Sequence, residues 1–234
     1  MTDTPRNTEL GRALTKGVLG SIPYLGPLVA EVVGVLIPDQ RLERIESLLR
    51  SLAEKCSGLD ERILAERLRT TESIDLLEDA FLGAARALSR DRIEYLASLL
   101  KNSLSSTEVD HLQTKRLMSI LSELNDAEVI ILKSHTLPLT QINDFVARHE
   151  AILTPPRPYI GAPQDELDRD AVYSSYKQHL MRLGLLEPRF RSWRKGQLPQ
   201  FDEKTGTMKI TGYRVTSLGT LLLRQIGWSE TGPA

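Results

Sequence analysis

The chain has 234 residues, 41% hydrophobic and 26% charged, with a net charge of −1 and one cysteine, Cys56. These figures exclude a disordered chain, a collagen and a polytopic membrane protein. A lone cysteine excludes an intramolecular disulfide and a Cys-rich zinc site, and near-neutral charge supplies no global attraction to nucleic acid or anionic lipid.

Residues 1–10 are expected not to be a secretory signal, because they hold Asp3 and Glu9 and no basic residue abuts an apolar run. A cytoplasmic location is therefore expected. Residues 18–37 read VLGSIPYLGPLVAEVVGVLI, with Glu31 the one charge. Their length meets the roughly 20 apolar residues of a membrane span. Pro23 and Pro27 break the helix ladder early, and Glu31 at mid-depth would cost roughly 2.5–3.5 kcal/mol. A buried helical hairpin containing Gly20, Gly26, Glu31 and Gly34 is the favoured reading. Insertion of the same segment into a bilayer is the alternative.

Beyond Pro38 the spacing is helical. Leu42, Ile45, Leu48, Leu49 and Leu52 make an apolar stripe, with Glu43, Arg44, Glu46 and Arg50 on a solvated face. Gly58 is expected to close this helix in a left-handed conformation. A short helix is expected over 59–68. The next starts at Thr71 or Ser73 and buries Ile74, Leu77, Phe81, Ala84, Ala85 and Leu88. Ser89 caps a helix burying Ile93, Leu96, Leu99 and Leu100. A helix over 108–124 turns Leu112, Leu117, Ile120, Leu121 and Leu124 inward. No helix is hydrophobic all round, so residues 1–124 read as a bundle of amphipathic helices.

Residues 125–234 read as a second domain. Asn125-Asp126 opens a helix with Val129, Ile130, Ile131 and Leu132, and a shorter one covers 139–148. Residues 154–163 hold four of the 12 prolines and form a loop. Charge also shifts there: residues 1–154 carry 18 Lys and Arg against 23 Asp and Glu, and residues 155–234 carry 12 against 8. A helix over 165–183 follows, with Val172, Tyr176, Leu180 and Leu183 on one side. Gly184-Leu185-Leu186 leads into a strand, Gly206 sits in a hairpin turn, 209–215 is a second strand, and Thr216-Ser217 caps a final helix over 218–226. Helix, strand, basic loop, strand, helix is the layout of a winged helix. The expected fold is thus mainly α: an N-terminal amphipathic helix bundle and a small winged-helix-like α+β C-terminal domain.

Four stretches carry a family resemblance: Ala97-Ser98-Leu99-Leu100-Lys101-Asn102, Leu121-Ser122-Glu123-Leu124-Asn125-Asp126-Ala127-Glu128, Leu183-Gly184-Leu185-Leu186-Glu187, and Leu218-Gly219. They resemble the helix, helix junction, wing lead-in and terminal-helix start of a bacterial abortive-infection family called Abi-alpha, over residues 71–227. Ser98 and Leu99 depart from its Asn-Leu-Leu, and a His-Pro-Ser-like step before the junction is missing. The resemblance implies an architecture and a phage-defence setting, and it implies no catalytic residue.

No catalytic, cofactor-binding or metal-binding residue is indicated. His111, His135, His149 and His179 form no His-x-x-x-His, and Asp165, Glu166, Asp168 and Asp170 lack the central glycine of a calcium loop. Cys56 reads as packing. The basic stretch Arg189, Arg191, Trp193, Arg194 and Lys195 would reach a phosphate backbone from a wing, and Ser174, Ser175, Lys177, Gln178 and Arg182 lie on the preceding helix as groove contacts. A helix-turn-helix joins its helices by roughly 3–4 residues, and the Pro-rich loop is longer. The chain is therefore expected to be a non-enzymatic interaction or regulatory module with a protein partner. DNA binding through the wing and membrane insertion through 18–37 stand as alternatives.

Overall fold

The computed structural model describes residues 41–105, 111–155, 159–190, 201, 206 and 208–228. The segment 18–37, with Gly20, Gly26, Glu31 and Gly34, lies outside these residues, as do Arg191, Trp193, Arg194 and Lys195. The described chain is mainly helical, with ten helices and one small antiparallel sheet near its C-terminal end. It divides into two compact units. The first ends at Glu123 and also takes Gln225–Gly227, and the second takes Leu124–Arg224 and continues from Trp228.

The first unit holds α1 (Leu42–Cys56), α2 (Glu61–Arg67), α3 (Thr71–Arg86), α4 (Arg90–Ser105) and α5 (His111–Glu123). The three-and-four spacing of α1 does what amphipathic spacing should: Ile45, Leu48, Leu49 and Leu52 are all sealed from solvent. Helix α4 is the hub, packed against each of the other four. Its centre is consequently buried on every side, from Tyr95 through Leu100, rather than along one stripe. Ser89 caps it as expected, accepting from the Arg92 N–H at 3.1 Å.

Several local expectations need correction. The N-cap of α3 is Thr70, whose hydroxyl accepts from the Ser73 N–H at 3.2 Å, so neither expected cap, Thr71 or Ser73, acts as one. Leu88 is 92% exposed because α3 stops at Arg86 and the helical spacing ends with it. Leu112 is exposed in the first turn of α5. Gly58 takes no left-handed conformation: α1 closes with Ser57 still in the right-handed region and the Leu59 N–H donating to the Cys56 carbonyl. Arg44 does not lie on a solvated face. Its guanidinium donates to the Ala85 carbonyl at 3.1 Å, as Arg67 does to Leu104 at 2.8 Å and Arg92 to Leu121 at 2.6 Å. Each acceptor lies in the last turn of a helix, where backbone carbonyls lack intrahelical partners. Cys56 is buried, and burial pushes its thiol upward despite Lys101 nearby, as suits a packing residue.

The second unit holds α6 (Asp126–Ser134), α7 (Leu139–Arg148), α8 (Glu150–Leu153), α9 (Gln164–Arg182), β1 (Leu186–Phe190), β2 (Ile210–Val215) and all but the last residue of α10 (Ser217–Gln225). Helix α8 is one the sequence pattern does not show. Helix α9 is the longest in the described chain, and it contacts both α6 and β1. It closes at Gly184, whose φ of +73° a side chain would resist, and the chain turns directly into β1. The strands pair antiparallel, Leu186 opposite Val215 and Arg189 opposite Gly212, with an irregularity between Arg189 and Phe190. Thr216 then joins turn and helix: its hydroxyl donates to the Gly184 carbonyl at 2.6 Å and accepts from the Gly219 N–H at 3.0 Å. Trp228 anchors the tail, stacking edge-on against Phe145 and donating from its indole to Thr136 at 3.1 Å.

Candidate functional site

The most developed polar arrangement begins at the start of α6. Asn125 and Glu128 form a reciprocal capping box: the Asn125 side-chain oxygen accepts from the Glu128 N–H at 2.9 Å, and a Glu128 carboxylate oxygen accepts from the Asn125 N–H at 2.8 Å. Capping glutamates are ordinarily solvated. Glu128 is only 2% exposed, because α9 lies against α6. Its second oxygen lies 2.6 Å from Nδ1 of His179 on α9. A carboxylate offers only acceptors, so Nδ1 carries the shared proton and the ring is oriented with Nε2 pointing away from Glu128. The contact is short enough to be charge-assisted.

The pair forms one wall of an open cleft of about 480 Å³, completed by Asn125, Ser175, Tyr176, Gln178 and Arg182. Ser175, Gln178, His179 and Arg182 reach it together because they recur at three and four residues along α9. Gln178 and Arg182, expected as partner contacts, are thus in one place.

Lys177 is not with them. It is turned toward the sheet, where its ammonium lies 4.5 Å from the Tyr173 ring centre and 5.2 Å from that of Tyr213. The low periodic contrast of the α9 sequence conceals this division, since Lys177 reads as polar surface while its stem is half-buried. Burial lowers the Lys177 ammonium below the usual lysine range, offset in part by Asp170. His135, edge-on to Tyr213 at 6.1 Å, is lowered first by burial and then by the charge on Lys177. A base whose folded value lies below its unfolded 6.5 contributes stability above that pH and loses it as pH falls. Thermal stability should therefore decline on acidification below about 6.5. In Lys177→Met the His135 ring should titrate at higher pH, which histidine-ring NMR would read. An unchanged His135 midpoint would rule out the charge on Lys177 as a cause.

Of the expected wing residues, Arg189 is described and is exposed on β1, with its carbonyl accepting from the Thr211 hydroxyl at 3.1 Å. Among the described residues no group of three or more His, Cys, Asp or Glu is placed to hold a metal ion, and no helix is long and apolar enough to cross a membrane.

Glu128 and His179 are functional candidates that motif reading passed over. The sequence did contain a signal for the first: Asn-x-x-Glu before an apolar run is a capping-box pattern. It held none for the pairing, because the partners are separated by 51 residues. Comparison with known proteins finds no matching family model, no matching curated protein and no matching solved structure.

Proposed function

We propose that the chain is a non-enzymatic interaction or regulatory module of bacterial phage defence, and that α9, β1, β2 and α10 form a winged-helix-like contact domain. The abortive-infection resemblance supplies the setting. The order of helix, antiparallel pair and terminal helix supports the winged-helix-like reading.

The observation that carries a protein partner is the outward side of α9. Leu167, Ala171 and Val172 are exposed there, with Leu167 at 38% and Val172 at 49%. The same half of the helix carries Asp165, Glu166, Asp168 and Asp170, and its one cation, Arg169, is paired to Asp165 at 3.1 Å. A recognition helix puts its N-terminal residues nearest the bases, between two phosphate backbones. Four carboxylates there would repel the phosphates, whereas an apolar strip with an acidic rim suits a protein surface.

DNA binding through the wing remains the second reading, favoured by exposed Arg189, followed in the sequence by Arg191, Arg194 and Lys195. The deciding experiment places a photo-crosslinking residue at Ala171 in cells and compares the background chain with Val172→Glu. A discrete protein adduct that Val172→Glu abolishes is the expected result. Absence of any protein adduct, together with salt-sensitive retardation of duplex DNA that Arg189→Ala weakens, would overturn it.

A further inference from the structure

The cleft between α6 and α9 has an unbalanced polar lining. Its one carboxylate, Glu128, is buried and has both oxygens engaged, by the Asn125 N–H and by His179. The one charged group left facing the opening is therefore the Arg182 guanidinium, joined by the amides of Gln178 and Asn125, the hydroxyls of Ser175 and Tyr176, and Nε2 of His179, a donor when the ring is doubly protonated. Arg182 is exposed and has no ion-pair partner among the described residues. His179 and Arg182 stand three residues apart on α9, the spacing at which two side chains converge on one group. The Glu128 contact fixes the imidazole in place, so its orientation need not be established when a ligand arrives.

We propose that this cleft is a binding site for a small phosphate monoester, with the phosphoryl oxygens held by Arg182 and His179. An oxyanion is the ligand class recognised by a lining whose one carboxylate is engaged and whose guanidinium has no ion-pair partner among the described residues, and Arg matches it with two parallel N–H bonds. The cleft volume of about 480 Å³ falls in the range of small-molecule sites, and it leaves room for an organic group beyond the phosphate, against Tyr176. The site would let a metabolite control the module, but the assignment itself does not depend on what binds the outward side of α9.

The test is calorimetric titration of the full chain with inorganic phosphate, AMP, acetate and a short DNA duplex, with histidine-ring NMR on the same samples. AMP should bind saturably and more tightly than inorganic phosphate, and shift the His179 ring signals while those of His149 stay in place. Arg182→Gln should weaken AMP binding about tenfold or more, the scale of a lost charge-assisted bond. Arg224→Gln, an exposed cation on α10, should leave it unchanged. Unchanged His149 signals will show that Arg182→Gln is folded. Binding that is equal in Arg182→Gln, or that acetate matches, would overturn the assignment. So would equal affinity for phosphate and AMP, which makes the ligand a free ion. Tighter binding of the duplex, sensitive to Arg182→Gln, would give the site to a nucleic-acid backbone instead.

Discussion

Glu128→Ala should destabilise the C-terminal unit by about 2–4 kcal/mol. The substitution removes two bonds at once: the capping bond to the Asn125 N–H and the 2.6 Å contact with His179. It also opens a cavity at a position only 2% exposed. The loss is limited because the His179 side chain keeps 20% exposure and can turn to water. Glu128→Gln keeps the shape and one acceptor and should cost roughly half as much. Urea unfolding followed by circular dichroism measures both. A change under about 0.5 kcal/mol in Glu128→Ala would mean that the pair adds nothing net to stability.

Gly219→Ala tests how α10 is seated. In an exposed helix this substitution stabilises by up to ~1 kcal/mol, because alanine is the better helix former. Here the new methyl would overlap the backbone carbonyl oxygen of Leu185 and lie 2.6 Å from the Val215 side chain. A backbone oxygen cannot rotate aside as the end of a flexible side chain can. The carbonyl is also committed, accepting from the Thr216 N–H at 3.0 Å. Overpacking should therefore outweigh propensity, with a net loss of about 1–3 kcal/mol. The loss should appear as a lower unfolding midpoint without a change of slope. A stabilised Gly219→Ala would show that α10 stands farther from the β1 turn than described.

The Leu218-Gly219 step thus has a packing reason that only the folded chain shows, and local and tertiary information divide elsewhere in the same way. The apolar spacing of Ile45, Leu48, Leu49 and Leu52, the Ser89 cap and the Thr216 cap were all readable from the chain. So was the positive φ of Gly206 at +65°. Each depends on residues within about one helical turn or one tight turn, and such local periodicity and capping chemistry need no knowledge of the rest of the molecule. Leu88 marks the limit of local spacing. It continues the spacing of α3, but the helix had already ended at Arg86. Arg44, Arg67 and Arg92 look like surface charges in sequence, and only the return of a second helix supplies the terminal carbonyls they bond.

The candidate site belongs almost entirely to this second kind. The sequence by itself determined a mainly helical chain with a small C-terminal sheet, and it holds the Asn125-x-x-Glu128 capping pattern without marking it as a site. Only the tertiary structure decided that α9 lies against that glutamate, burying Glu128 and joining it to His179. It also split the polar residues of α9 between two faces, sending Lys177 to Tyr213 of the sheet and Gln178 and Arg182 to the cleft. The physical reason is that amphipathic spacing specifies which residues of a helix share a side, whereas the partner on that side depends on how a loop returns the chain. Where polar residues surround the whole helix, as along α9, spacing does not choose a buried side at all, and packing alone makes the choice.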